Sequence, residues 1–208
     1  MKKTQVLDWL YRTAAFMEEN KTYLTKLDTA IGDADHGNNM HRGFSNVIEQ
    51  LPKYEEKDIG SICKAVAMVL ISKVGGASGP LYGTMFMQAA NTVNGKEELS
   101  GDDLKKFLKA GLEGIIMRGK ASVGDKTMVD AYTPALAAFS DSIENGDDIS
   151  SALDKAVAAS EEGMKSTIPL IAKKGRASYL GERSKDHQDP GATSLTLMLT
   201  AMRDASKA

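Results

Sequence analysis

Apolar residues recur at three- and four-residue spacing along most of the chain, and no stretch alternates polar and apolar residues with β-branched enrichment. The first spacing lays side chains along one face of a helix, and the missing alternation is what a half-buried strand would need, so the chain reads as all-α. In the first segment Val6, Leu7, Leu10, Tyr11, Ala14 and Met17 form such a face, with Thr4 as its expected cap. A second helix is predicted from about Gly37 to Gln50, ended by Pro52, and a third from about Asp58 to Lys73, ended by Gly75 and Gly76. A fourth spans about Gly79 to Val93. Ser100 with Asp103 opens a fifth that runs to about Arg118, and Thr127 with Asp130 repeats that capping pattern before VDAYTPALAAFSDSI. Pro134 should kink this helix or move its start. Asp147 or Asp148 opens the next, a shorter piece follows over about Ser166 to Lys173, and the last covers about Ala192 to Ala205, making roughly eight helices.

With 208 residues, 42% of them hydrophobic, the chain suffices for one sizeable core, and a single domain is expected. A net charge of −2 without a dense Lys/Arg run disfavours nucleic acid as a partner. No membrane span is expected, and Asp8, Arg12, Glu18 and Glu19 interrupt the N-terminal segment where an export signal needs an apolar run. The single cysteine, Cys63, lies in the apolar run SICKAVAMVLI, which fits a buried thiol in a reduced, cytoplasmic protein.

The densest chemical feature is LDTAIGDADHGNNM, where Asp28, Asp33 and Asp35 fall within eight residues beside Gly32 and Gly37 at the mouth of a predicted helix. Crowded carboxylates repel one another unless a hard cation neutralises them, and Mg²⁺ pairs a few carboxylates with phosphate oxygens. The helix starting near His36 would aim free N–H groups at the same place. The plainer reading makes these residues caps and turn formers. An EF-hand is excluded, because a loop starting at Asp33 puts Asn38 where glycine is needed and Phe44 where the bidentate glutamate belongs.

KVGGASGPLYG offers Gly75, Gly76, Ala77, Ser78 and Gly79 as a backbone surface without bulk that can wrap a phosphate, or as an ordinary helix end and turn. Ser78 is read as a cap or phosphate donor, since no His–Asp pair that would make it a hydrolase nucleophile is identifiable. GIIMRGKA matches a Walker A loop in spacing, but Ala121 replaces the hydroxyl that binds Mg²⁺ and the segment ends a helix. Arg176, in GRASYLGERS, is a candidate for stabilising transferring charge, and Asp189, Pro190 and Gly191 form a turn before the last helix. The segment from Gly175 to Gln188 reads as a surface loop or lid. His36 adjoins the acidic cluster and is a candidate phosphate contact, whereas His41 and His187 read as surface residues. Met128 can pack on a flat ring, and Trp9 is expected to be partly buried.

LDTAIGDADHGNNM, GGASGPLYG, GDKTM, GRASYLGERS and DPGA, in this order along nearly the whole chain, resemble the L subunit of dihydroxyacetone kinases. The resemblance implies a barrel of eight antiparallel amphipathic helices with ADP or ATP bound at one end by the connecting loops. It implies that Asp28, Asp33 and Asp35 hold two Mg²⁺ ions, and that the nucleotide is contacted by His36, Gly37, Asn38, Asn39, Ala77, Ser78, Gly119, Met128, Arg176, Asp189, Pro190 and Gly191. Arg176 is the residue it marks as catalytic. Three carboxylates and an ADP trianion total about −6, which two Mg²⁺ reduce to about −2.

No large substrate domain accompanies the motifs, so the chain resembles the separate subunit of the phosphotransferase-system form. There ADP stays bound as a coenzyme, takes phosphoryl from a phosphohistidine donor subunit and passes it to dihydroxyacetone on a K subunit. A transcription regulator and a second copy of the chain are partners the resemblance leaves open. A kinase domain exchanging free ATP, a nucleotide-bound regulatory module and a structural Mg²⁺-binding helical protein are the other readings.

Overall fold

The computed structural model describes residues 1–208. Its regular elements are helices: α1 (Lys3–Glu19), α2 (Lys21–Ile31), α3 (His36–Gln50), α4 (Ile59–Lys73), α5 (Ser78–Asn91), α6 (Gly101–Gly119), α7 (Met128–Glu144), α8 (Ile149–Ser166) and α9 (Pro190–Ser206), with 3₁₀ turns at Leu51–Lys53 and Arg176–Ser184. Eight of them close a ring in the order α1, α3, α4, α5, α6, α7, α8, α9 and back to α1, and α2 packs on α3 and α9. Neighbours in the ring run antiparallel. At the closing seam Gln5 bonds the Ser206 carbonyl at 3.0 Å and the Trp9 indole N–H bonds the Met198 carbonyl at 3.0 Å, so α1 ascends as α9 descends.

Each element starts or stops for a local reason. Asp58 caps α4 through the Ser61 N–H at 3.1 Å, Asp148 caps α8 through Ser151 at 2.8 Å, and reciprocal capping boxes open α6 at Ser100 and Asp103 and α7 at Thr127 and Asp130. Pro134 lies in the second turn of α7 without ending it. The Asp130 carbonyl four residues earlier faces Gly163 of α8, where a Cβ would stand 2.3 Å away. The two helices meet closely at that point.

Four expectations are corrected. The chain enters α1 at Lys3, not after a Thr4 cap, because the residues before it pair with 97–99: Lys3 N–H donates to the Glu97 carbonyl at 2.9 Å and Leu99 N–H to Met1 at 2.8 Å. The helical piece over 166–173 is absent. Pro169 supplies no N–H and disfavours helical geometry at Ile168, and the segment turns instead. The helix α2 was not expected at all. Trp9 is fully buried, stacked on Phe86 with ring centroids 5.5 Å apart.

The ring encloses one continuous core of 47 buried apolar residues, among them Leu10, Phe44, Leu70, Phe86, Phe139 and Leu195. A single core drawing on every helix of the ring is what a single all-α domain requires. Cys63 is buried in it, and burial pushes its thiol up to about 12. No helix is long and apolar enough to cross a membrane.

Candidate functional site

Antiparallel packing in a closed ring brings alternate helix starts to the same end. The first turns of α3, α5, α7 and α9 meet there around a cavity of about 480 Å³. Each start presents N–H groups without intrahelical partners and the positive end of a helix dipole, so together they favour an anion. They are not equally free. Thr127 caps α7 at the Val129 N–H and Asp189 caps α9 at the Ala192 N–H (2.7 Å), whereas neither Asp35 nor Ala77 turns its side chain onto its own helix. The start of α3 takes its cap from Asp28 of α2 instead, which leaves the start of α5 as the one where a ligand can take the place of a cap.

At the mouth of α3 one carboxylate oxygen from each of Asp28, Asp33 and Asp35 lies within 4.8 Å of the others. Asp28 is buried in the last turn of α2, and its Oδ2 accepts the N–H groups of Asp35 (2.8 Å) and His36 (3.1 Å), which locks α2 to the start of α3. Its Oδ1 lies against Gly32, where a Cβ would stand 2.0 Å away. Any other side chain at 32 would displace the carboxylate. Ala34, between the other two aspartates, has φ +61°, a left-handed conformation held against its preference by these contacts. Asp33 and Asp35 remain open to the cavity, and Arg176 reaches Asp33 at 2.8 Å from the 3₁₀ turn. An all-oxygen set with one buried anchor and two accessible carboxylates fits a hard divalent cation that also takes ligand oxygens. The carboxylate repulsion that such an ion removes is strong at this range.

His36 lies behind the cluster, buried, with Nδ1 3.1 Å from the Ser78 hydroxyl and Nε2 2.9 Å from the Ser194 hydroxyl, which in turn bonds Tyr82 at 2.7 Å. Burial lowers its pKa against the opposing charges of Asp28 and Asp35, so the ring is a neutral strut between α3, α5 and α9. Asp189 keeps some contact with solvent through the cavity. The protein around its carboxylate nonetheless pushes it up to about 7; the Ala192 N–H and Lys126 oppose this, and the negative charges of Asp130 and Asp28 add to it. Leu81, Ile115, Ala121 and Met128 supply apolar lining to the same cavity. Acidic and N–H-rich groups together with apolar ones in one cavity suit a ligand with an anionic end and a flat apolar end.

Of the residues expected from sequence, Asp28, Asp33, Asp35, His36, Ala77, Ser78, Gly119, Met128, Arg176, Asp189, Pro190 and Gly191 line this one cavity. Gly37, Asn38 and Asn39 do not. Gly37 is buried against α2, where a Cβ would stand 2.0 Å from the Lys21 carbonyl. Asn38 is exposed, and Asn39 is buried with its Oδ1 accepting from Arg42 at 2.7 Å beneath Gly75. Sequence reasoning missed Tyr82 and Ser194, because an isolated hydroxyl inside a helical pattern carries no local signal, and it met Lys126 only as a letter of GDKTM without a role. Arg118 at the cavity rim was read only as the end of a helix.

The family model described as "DAK2 domain" matches residues 30–204. The chain belongs to the DAK2 domain family. Over 207 residues it is 47% identical to "PEP-dependent dihydroxyacetone kinase, ADP-binding subunit DhaL" of Escherichia coli (strain K12), spanning 100% of this chain and 99% of that one. It is 44% identical over 188 residues to "PTS-dependent dihydroxyacetone kinase, ADP-binding subunit DhaL" of Lactococcus lactis, spanning 90% of each. Among solved structures, the native dihydroxyacetone kinase of C. freundii superposes with a TM-score of 0.73 at 23% identity, covering 94% of this chain and 33% of that chain. The last likeness concerns the fold. The helical barrel is common to both and matches a third of the longer chain.

Proposed function

We propose that this DAK2 chain is the ADP-binding subunit of a dihydroxyacetone kinase and keeps Mg²⁺-bound ADP in the cavity as a retained coenzyme. The observation that carries this reading is the meeting of three carboxylates within 4.8 Å at a cavity into which four helix starts open. Relatives matched over nearly their whole length are named as ADP-binding subunits, which supports it. When bound, Mg²⁺ would supply positive charge that offsets the carboxylates and the diphosphate, and ADP would supply the group that carries phosphoryl.

The chain's own residues do the positioning. Asp28, Asp33 and Asp35 are the metal ligands in this reading, with two ions balancing the charge best. The first turns of α3 and α5, including His36, Ala77 and Ser78, hold the diphosphate. Gly119 and Met128 border the base, and Asp189, Pro190 and Gly191 close the side next to α9. Gly37 and Asn39 act from outside the cavity, through the seat of α2 and of the Gly75 loop, and Asn38 is left for ligand contact from the exposed face of the same turn. Arg176 exchanges Asp33 for the transferring charge, a role for an exposed arginine on a turn above the cavity. The acceptor, dihydroxyacetone, is held by a separate K subunit, and a phosphohistidine donor of the phosphotransferase system reloads the coenzyme.

A coupled assay with K subunit, donor protein and phosphoenolpyruvate, without free ATP, should form dihydroxyacetone phosphate in proportion to this chain. Formation only when ATP is added at substrate concentration would contradict the retained-coenzyme role.

A further inference from the structure

Lys126 is the one lysine whose side chain is shut away from solvent, at 1% exposure, and its backbone is left-handed at φ +62°. A buried ammonium persists only if its three donors are satisfied, and here all three are. Nζ donates to the carbonyl of Thr167 at 2.6 Å, to that of Ile168 at 3.3 Å and to that of His187. These acceptors stand at the two ends of the segment that carries Arg176. The same neck is closed by the Asp186 N–H on the Ile168 carbonyl at 2.8 Å, and the Asp189 N–H on the Thr167 hydroxyl at 3.0 Å ties it to the start of α9. Lys126 itself precedes Thr127, the cap of α7. One side chain thus joins the starts of α7 and α9 to both roots of the loop above the cavity.

We propose that Lys126 is a positioning residue that clasps the neck of the 168–187 loop, and that this clasp sets how long a nucleotide stays in the cavity. The inference rests on the reading of the cavity as an ADP site. With the clasp in place the loop swings as a unit about a fixed root, Arg176 returns to the acidic cluster, and Asp189 stays in register with the first turn of α9. Without it, two roots that share no other side-chain cation separate, and the loop opens from its base.

The test follows ADP release from the Mg²⁺-loaded full chain, and trypsin cleavage of the nucleotide-free chain after Arg176 and Arg183, in wild type, Lys126→Met and Lys126→Arg, well below each melting temperature. Lys126→Met should release ADP about tenfold or more faster, the cost of losing bonds to a charged donor, and be cut faster in the loop. Lys126→Arg keeps the charge but presents a planar fork to three converging carbonyls, so its release should be intermediate. It also serves if Lys126→Met does not fold. Variants that melt earlier yet release ADP and are cut at wild-type rates would overturn the clasp and leave Lys126 a stabilising residue. A wild-type chain that binds no ADP would overturn the reading of the cavity. The cleavage rates report on the clasp without nucleotide, so the two failures are distinguishable.

Discussion

Gly32 and Asp28 show how tightly single residues constrain the cavity. Gly32→Ala places a methyl 2.0 Å from Asp28 Oδ1, yet Gly32 is exposed, so the fold should tolerate the change. The expected result is an affinity for Mg²⁺-ADP lowered about tenfold or more, read by calorimetric titration, with a small fall in melting temperature from the loosened Asp28 bonds to α3. Asp189 gives a pH prediction. Its folded pKa of about 7 lies above the ordinary 3.8, so between those values the folded chain holds a proton that the unfolded chain has lost. Stability from this group is therefore highest below about pH 4, falls as pH rises toward 7 and is level beyond. His36, with its pKa lowered by burial, contributes the opposite slope, gaining as pH rises toward its unfolded value. Asp189→Asn keeps the cap on α9 and removes only the first slope. Melts in metal-free buffer at pH 5 and pH 8 should show the variant gaining on wild type at pH 8. An equal difference at both values would contradict the assignment.

Among the helices, α2 is the one that sequence periodicity did not reveal, and the reason is physical. Its buried face is Leu24, Asp28 and Ile31, so a carboxylate occupies the middle of the stripe where a core helix would carry an apolar residue. The residue that makes α2 functional hides it as a helix. The caps at Ser100, Thr127 and Asp148 were legible because each side chain accepts an N–H two or three residues on, a local requirement. In the 166–173 segment Pro169 was the local signal against a helix, whereas the Lys126 donors that hold its carbonyls are distant in sequence. Two predictions concern elements. Gly37→Ala should drive α2 off α3 through the Lys21 carbonyl, costing about 2 kcal/mol in urea unfolding, with loss of nucleotide binding. Asp58→Ala, which removes the cap of α4 and a bond to the Gly95 N–H at 2.9 Å, should cost about 1 kcal/mol or more without touching nucleotide affinity. The Asp58 carboxyl is held down to about 2 by its Ser61 and Gly95 donors, so its contribution is present above the ordinary carboxylate range and lost as pH falls toward 2.

The whole barrel follows from antiparallel closure: once eight helices form a ring, four of their starts must share one end. The spacing of apolar residues gave helices but not the ring order, since that order is set by contacts between helices far apart in sequence, such as α1 with α9. The ordered motifs pointed to the site because they lie at the helix starts that closure gathers. A ligand seated there should stabilise the entire fold, and at a hundredfold excess over its Kd the gain is about 2.7 kcal/mol. That gain should vanish on adding EDTA, because the carboxylates then repel the diphosphate. The decisive measurement is mass analysis of the chain purified without added nucleotide, comparing wild type with Asp33→Ala. Bound ADP and magnesium recovered from the wild type, and little or none from the variant at unchanged helical content, are the predicted result. A wild-type chain empty of both, or a variant that retains ADP equally well, would contradict it.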